Sequence, residues 1–257
     1  MSYFEYKDKK VYYKTEGNGF PLILIHGNTS SSKMFFGVAK RLSKNHRIIL
    51  IDLPGHGKSD RLSEFPTDWW FDNSIVVAEL IKHLELPRVN IIGSSGGALI
   101  GLNLAIEYPD LINKIIADSF IGEHSTDNFI NSLTEDRLRA MKNPLSMVFW
   151  YWNHGFDWKK IVNLDTSMQI SFHTKHGDFF HDSLSEIIAP TLLIGSKGDE
   201  FLPNIEDMYK DISNKIKNSR VHIFNKGSHP SVMSNPKEFI FTVNDFLGKY
   251  KLKRPKT

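Results

Sequence analysis

The chain has 257 residues, 40% of them hydrophobic and 12% aromatic, which is enough to bury one large core and to make a single α/β domain. It contains no cysteine, which excludes disulfides, a thiol nucleophile and thiolate metal ligands, and a cytoplasmic setting is expected. The formal charge of +3 becomes −2 without the last nine residues, which hold four lysines, one arginine and no acid, so the basic balance reads as a solvated tail and no nucleic-acid partner is expected.

The amino end carries no apolar h-region, and no run is long and apolar enough to cross a bilayer, so neither export nor a membrane partner is expected. Alternating segments at residues 3–9 and 10–15 predict a hairpin. Glu16-Gly17-Asn18-Gly19 then leads into the continuous apolar run Pro21-Leu22-Ile23-Leu24-Ile25, a buried strand. Further runs of the fully buried type at 47–51, 88–92, 114–117, 191–194 and 220–224 alternate with helical patterns at 32–44, at 70–84 and after residue 96. This alternation predicts a doubly wound, mostly parallel sheet of eight strands. It breaks once, between Phe120 and Ile188, where about 65 residues carry helical patches and no convincing strand. The break is read as an inserted helical cap over 121–187, with 1–120 and 188–257 forming the core. The insertion is rich in large apolar groups, and Met147, Phe149, Trp150 and Phe172 are expected to line a pocket beneath it.

Gly93-Ser94-Ser95-Gly96-Gly97 stands between the apolar run ending at Ile92 and the helical Ala98-Leu99-Ile100, the strand, sharp turn and helix that a G-x-S-x-G nucleophile elbow requires. A serine held on such a turn needs neighbours without Cβ atoms, because strand and helix approach closely there. Ser95 is therefore the candidate nucleophile. A serine hydroxyl becomes nucleophilic only when a base takes its proton, so a histidine and an orienting carboxylate are expected at later strand ends. Asp199 follows the run Thr191-Leu192-Leu193-Ile194, and His229 follows Val221-His222-Ile223-Phe224. All three candidates fall beyond the carboxyl ends of strands, where an open parallel sheet places its chemistry. Glu200, beside Asp199, is read as a solvated side chain. His173, His176 and His181 with Asp178 and Asp182 match no metal-ligand spacing, and no metal or cofactor is expected.

Taken together, His26-Gly27-Asn28-Thr29 after the third strand, Asp52-Leu53-Pro54-Gly55-His56-Gly57-Lys58-Ser59-Asp60 after the fourth, the elbow, and the order Ser, Asp, His resemble the α/β-hydrolase fold over nearly the whole chain. The resemblance implies an oxyanion hole built from the backbone N–H groups of Gly96 and Asn28. It implies structural roles for His26 and His56. It also offers Asp118, at the end of the strand 114–117, as an alternative orienting acid. Dehalogenase-like members of the fold carry aspartate where this chain has Ser95, so acyl chemistry is expected instead of halide displacement or epoxide opening. The expected function is hydrolysis of a small or medium apolar carboxylic ester through an acyl-enzyme. Alternatives are a carbon–carbon bond hydrolase, thioesterase or amidase with the same triad, and a non-catalytic small-molecule receptor. The sequence leaves the oligomeric state open.

Overall fold

A computed structural model describes residues 2–248, so the basic tail lies outside the described residues. Eight strands form one sheet in the order β1-β2-β4-β3-β5-β6-β7-β8. The strands are β1 (Ser2–Tyr6), β2 (Lys9–Glu16), β3 (Pro21–Ile25), β4 (Arg47–Ile51), β5 (Val89–Ser94), β6 (Ile112–Asp118), β7 (Thr191–Ser196) and β8 (Ser219–Phe224). β2 pairs antiparallel with both β1 and β4, and every other pairing is parallel. The chain runs from β3 outward to β4, then returns past β3 to β5. The order therefore reverses between β3 and β5, and the loops leaving these two strands diverge to open a crevice at their carboxyl ends.

The helices are α1 (Phe36–Leu42), preceded by a 3₁₀ turn at Ser32–Phe35, α2 (Trp69–His83), α3 (Gly96–Glu107), α4 (Asp127–Ala140), α5 (Pro144–His154), α6 (Trp158–Lys175), α7 (Ile205–Lys215), the short α8 (Ser231–Ser234) and α9 (Pro236–Leu247). Strand periodicity divides the core between the two faces of the sheet. Ile23, Ile25, Ile49, Ile51, Ile91 and Ile115 pack with residues of α2, α3 and α7 on one face. Leu22, Leu24, Ile48, Leu50, Ile92 and Ile116 pack with α1 and α9 on the other. Burial on both faces explains why these strands read as continuous apolar runs.

Two expectations need correction. The hairpin turns at Lys7 and Asp8, whose φ values of 46° and 60° are those of a two-residue turn, so β1 ends at Tyr6 and not at residue 9. β8 is an edge strand and not a buried one: Arg220, Val221 and His222 are exposed, Val221 by 38%. Ile223 packs into the core on one face of the sheet and Phe224 into the core on the other, while Val221 stays exposed at the sheet's edge.

Between β6 and β7 the chain builds α4, α5 and α6, with α6 packed against both of the others. Thr126 caps α4 by accepting the Phe129 N–H, and Asn143 caps α5, whose first residue is Pro144. Trp150 stacks on Trp158 at 5.3 Å, and these two with Val162 form a small separate core. Among the described residues no helix is long and apolar enough to cross a membrane.

Candidate active site

Ser95 stands at the junction of β5 and α3 with φ +55°, a conformation that costs a non-glycine residue roughly 1–3 kcal/mol unless its surroundings fix it. Two hydrogen bonds fix it. Its N–H donates to the Asp118 carbonyl at 2.7 Å, and its carbonyl accepts the Ala98 N–H at 2.8 Å. A Cβ on Gly93 would collide with the carbonyl of Gly97, and one on Gly97 with the carbonyl of Ile25, so the turn closes only because both are glycine.

The loops after β7 and β8 bring two more side chains to this point. His229 Nε2 lies 3.0 Å from Ser95 Oγ, and His229 Nδ1 lies 2.9 Å from Asp199 Oδ2. Asp199 is buried, and its Oδ1 accepts the Phe201 N–H at 3.1 Å. Phe201 also sets its ring edge-on to the imidazole, at 5.1 Å between centroids. Glu200 is exposed, yet its carboxylate accepts the backbone N–H of His229 at 3.0 Å, so it steadies the loop that carries the imidazole. Asp118 makes no hydrogen bond to His229. Its carboxylate accepts from Ser94 Oγ, Ser119 Oγ, Ser231 Oγ and the Val232 N–H.

Asn28 and Gly96 both line the space beside Ser95. Gly96 opens α3, so its N–H points out of a helix N-terminus and carries that end's partial positive charge. His26 and His56 are fully buried. His26 Nε2 accepts the Leu53 N–H at 3.0 Å, leaving Nδ1 to donate to the Gly27 carbonyl at 2.9 Å, which ties the β3 loop to the β4 loop. Burial lowers the pKa of both histidines, that of His56 well below the ordinary value. They are neutral bracing groups.

A cavity of about 470 Å³ lies over this row, between the strand-end loops and the helices α4 and α5. Its walls are mostly apolar, with Leu99, Phe120, Phe129, Leu133, Phe149 and Trp150 among them. Of the four residues expected at the pocket wall, Phe149 and Trp150 are there; Met147 and Phe172 are not. Met147 packs instead against the small Trp150–Trp158 core. Phe172 is buried behind the wall, stacked on Phe179 at 5.0 Å and edge-on to Trp70 at 4.7 Å. Both sit on the inward faces of their helices, and periodicity does not distinguish an inward face that meets a cavity from one that meets another side chain.

Several residues around the cavity were not anticipated. Arg137 and Gln169 reach it from α4 and α6, and both bond to Asp165, whose side chain is 0% exposed. The available signal was a pair of polar residues, Asp165 and Gln169, on the apolar stripe of α6 between Val162 and Phe172. The histidines and acids around 173–182 disperse to separate partners. His173 bonds Ser125 and Asp127, His181 bonds Asp68, and Asp178 bonds His124. Among the described residues no three metal-ligating side chains converge.

A doubly wound sheet with a serine elbow after β5, an acid after β7 and a histidine after β8 is one arrangement among many α/β topologies. A family model described as "alpha/beta hydrolase fold" matches residues 21–147, which run from β3 through the elbow into α5. The chain has the α/β-hydrolase fold. This α/β-hydrolase-fold chain is 24% identical over 252 residues to a 2-hydroxy-6-oxononadienedioate/2-hydroxy-6-oxononatrienedioate hydrolase of Cupriavidus pinatubonensis, covering 88% of this chain and 86% of that one. It is 26% identical over 254 residues to the pimeloyl-(acyl-carrier protein) methyl ester esterase of Legionella pneumophila, covering 92% and 99%. Among solved structures it is similar to an esterase of Exiguobacterium antarcticum, with a TM-score of 0.79 at 20% identity, covering 96% of this chain and 98% of that one.

Proposed function

We propose that the protein is a serine hydrolase that cleaves small or medium apolar carboxylic esters, with Ser95 as nucleophile, His229 as general base and acid, and Asp199 as the acid that orients the imidazole. The observation that carries this reading is the unbroken row Ser95 Oγ, His229, Asp199, with spacings of 3.0 and 2.9 Å, at the floor of a largely apolar cavity. Residues 121–187 act as the cap over that cavity.

In the reaction His229 Nε2 removes the Ser95 proton as Oγ adds to the ester carbonyl, and Asp199 holds the Nδ1–H tautomer and stabilises the imidazolium. The N–H groups of Gly96 and Asn28 receive the tetrahedral oxyanion, aided by the N-terminus of α3. Collapse of that intermediate expels the alcohol, which takes the proton from His229. A water molecule then loses its proton to His229 as it adds to the acyl-enzyme, and the acid leaves as Ser95 regains its proton.

An ester is favoured over the dicarboxylate carbon–carbon substrate named for the Cupriavidus relative by the charges on the cavity wall. A dicarboxylate needs an available cation. Arg137 is the lysine or arginine among the described lining residues, and its guanidinium is paired with Asp165 at 3.1 Å. The test is labelling with a fluorophosphonate probe, alongside hydrolysis of p-nitrophenyl esters of rising acyl length, on wild type and Ser95→Ala. Turnover should fall on the order of 10⁶-fold in the variant if the three residues act as a unit. Ester turnover persisting in a folded Ser95→Ala would refute the nucleophile. A folded wild type that neither labels nor turns over would favour a ligand receptor.

A further inference from the structure

The loop after β3 is held in an unfavourable shape. Thr29, a β-branched residue, has φ +53°, in the left-handed region that such side chains avoid. Within the loop one backbone hydrogen bond supports it, from the Ser30 N–H to the Gly27 carbonyl at 3.3 Å. The stronger supports come from the helices between β6 and β7. Arg137 donates to Thr29 Oγ1 at 2.6 Å, Trp150 Nε1 donates to the same oxygen at 3.3 Å, and His154 Nε2 donates to the Thr29 carbonyl at 3.0 Å. The neighbouring Asn28 donates through Nδ2 to Asp165 Oδ1 at 2.6 Å, the shortest of its contacts, while its Oδ1 accepts the Trp70 indole N–H at 3.3 Å.

Asp165 is a buried carboxylate with every oxygen committed. Oδ1 takes Asn28, and Oδ2 takes Gln169 at 2.7 Å and Arg137 at 3.1 Å. Burying a carboxylate is costly unless it is paired and fully hydrogen-bonded. Arg137 on α4 and Gln169 on α6 take up Oδ2, which leaves Oδ1 to the Asn28 side chain, at a position that apolar residues flank on the same helix face. The charge sits where it can grip the Asn28 side chain.

We propose that Asp165 is a positioning residue for hydrolysis: through its bond to the Asn28 side chain it fixes the Asn28 peptide, and with it one of the two oxyanion-stabilising N–H groups. The inference rests on the serine-hydrolase reading above. The inserted helices thereby shape the transition-state site as well as covering the substrate. A loop that strains against Thr29 turns its peptide when the grip is lost, and the donor then misses the position the oxyanion occupies. Complete loss of one such donor costs about 10²–10³ in rate, so partial misplacement costs about 10- to 100-fold.

The experiment begins with wild type, whose serine-dependent fluorophosphonate labelling and ester turnover test the underlying reading by themselves. Asp165→Asn, Asn28→Ala and the double variant are then compared for kcat and KM on p-nitrophenyl butyrate, and for inhibition by a trifluoromethyl ketone, which adds Ser95 to form a tetrahedral oxyanion. Each single variant is expected to lose about 10- to 100-fold in kcat with KM changed less than about threefold, and to weaken the ketone by the same factor. The double variant is expected to fall no further than the poorer single variant, since both act on one bond, Asp165→Asn by removing the acceptor's charge and Asn28→Ala by removing the donor. A folded Asn28→Ala with kcat within about threefold of an active wild type overturns the proposal, as do additive losses or a loss confined to KM. Asn28→Ala removes the same bond from a half-buried side chain and leaves the Asp165–Arg137–Gln169 cluster in place. It therefore decides the matter if Asp165→Asn does not fold.

Discussion

The carboxylate of Asp118 accepts the Ser94 hydroxyl at 2.8 Å, directly beneath the turn that carries Ser95. Ser231, two residues beyond His229, donates to the same carboxylate, so one buried acid ties the Ser95 turn to the segment that follows His229. Asp199 occupies the other position, on the far side of the imidazole, at 2.9 Å from Nδ1. Asp118 ends β6 and Asp199 lies in the loop beyond the neighbouring parallel strand β7, and the two do different work.

Their variants should separate accordingly. Asp199→Asn leaves the packing intact and removes the acceptor that selects the reactive tautomer, so kcat should fall on the order of 10³–10⁴ with little change in thermal stability. Asp118→Ala strands the hydroxyls of Ser94 and Ser231 in the interior, at about 1–3 kcal/mol each. Its thermal midpoint should drop, while the folded fraction keeps turnover within about tenfold of wild type. Paired thermal unfolding and kcat measurements check this, and the reverse pattern would assign the orienting role to Asp118.

Acid should loosen the grip of α5 on the β3 loop. His154 is buried, with Nδ1 accepting the Gly57 N–H at 3.1 Å and Nε2 donating to the Thr29 carbonyl, an arrangement that needs the neutral ring. Burial, chiefly, pushes its pKa down from 6.5 to about 4. A pKa lowered on folding stabilises the protein fully above the unfolded value, and the contribution is lost as pH falls from about 6.5 towards about 4. The shift is worth on the order of 3 kcal/mol for this group, and His26 and His56 act in the same direction. Thermal midpoints measured between pH 4.5 and 7.5 should fall with acid, and His154→Asn should be less stable at pH 7.5 with a flatter dependence.

Substitution at one aromatic of α5 and one of α6 should divide specificity from stability. Phe149 lines the cavity, so Phe149→Ala should enlarge it and move the preferred p-nitrophenyl ester to a longer acyl chain. Phe172 is 1% exposed and stacked against Phe179, so Phe172→Ala should destabilise the protein by about 3–5 kcal/mol. Chain-length profiles and denaturant midpoints on both variants distinguish the two effects.

The fold and the row Ser95, Asp199, His229 were legible because each depends on short-range order. A strand buried on both faces must be apolar throughout, a strained elbow must have glycines where backbones meet, and chemistry at strand ends must follow apolar runs. The hairpin break was misplaced because alternation continues through Lys7 and Asp8, where the turn lies in the backbone's φ angles. The exposure of β8 was hidden for a related reason: Val221, Ile223 and Phe224 suit an edge strand as well as a central one, and the strand order decides which it is.

The sequence by itself determined the sheet, the elbow and the chain order of the three polar residues, since local periodicity and the steric needs of tight turns are written residue by residue. Tertiary structure alone decided that Met147 and Phe172 leave the cavity to Phe149 and Trp150. It alone decided that Asp118 braces while Asp199 faces the imidazole, and that Asp165 reaches Asn28 across 137 positions of chain. These are relations between side chains brought together by packing, and their energies depend on distances that no local pattern encodes.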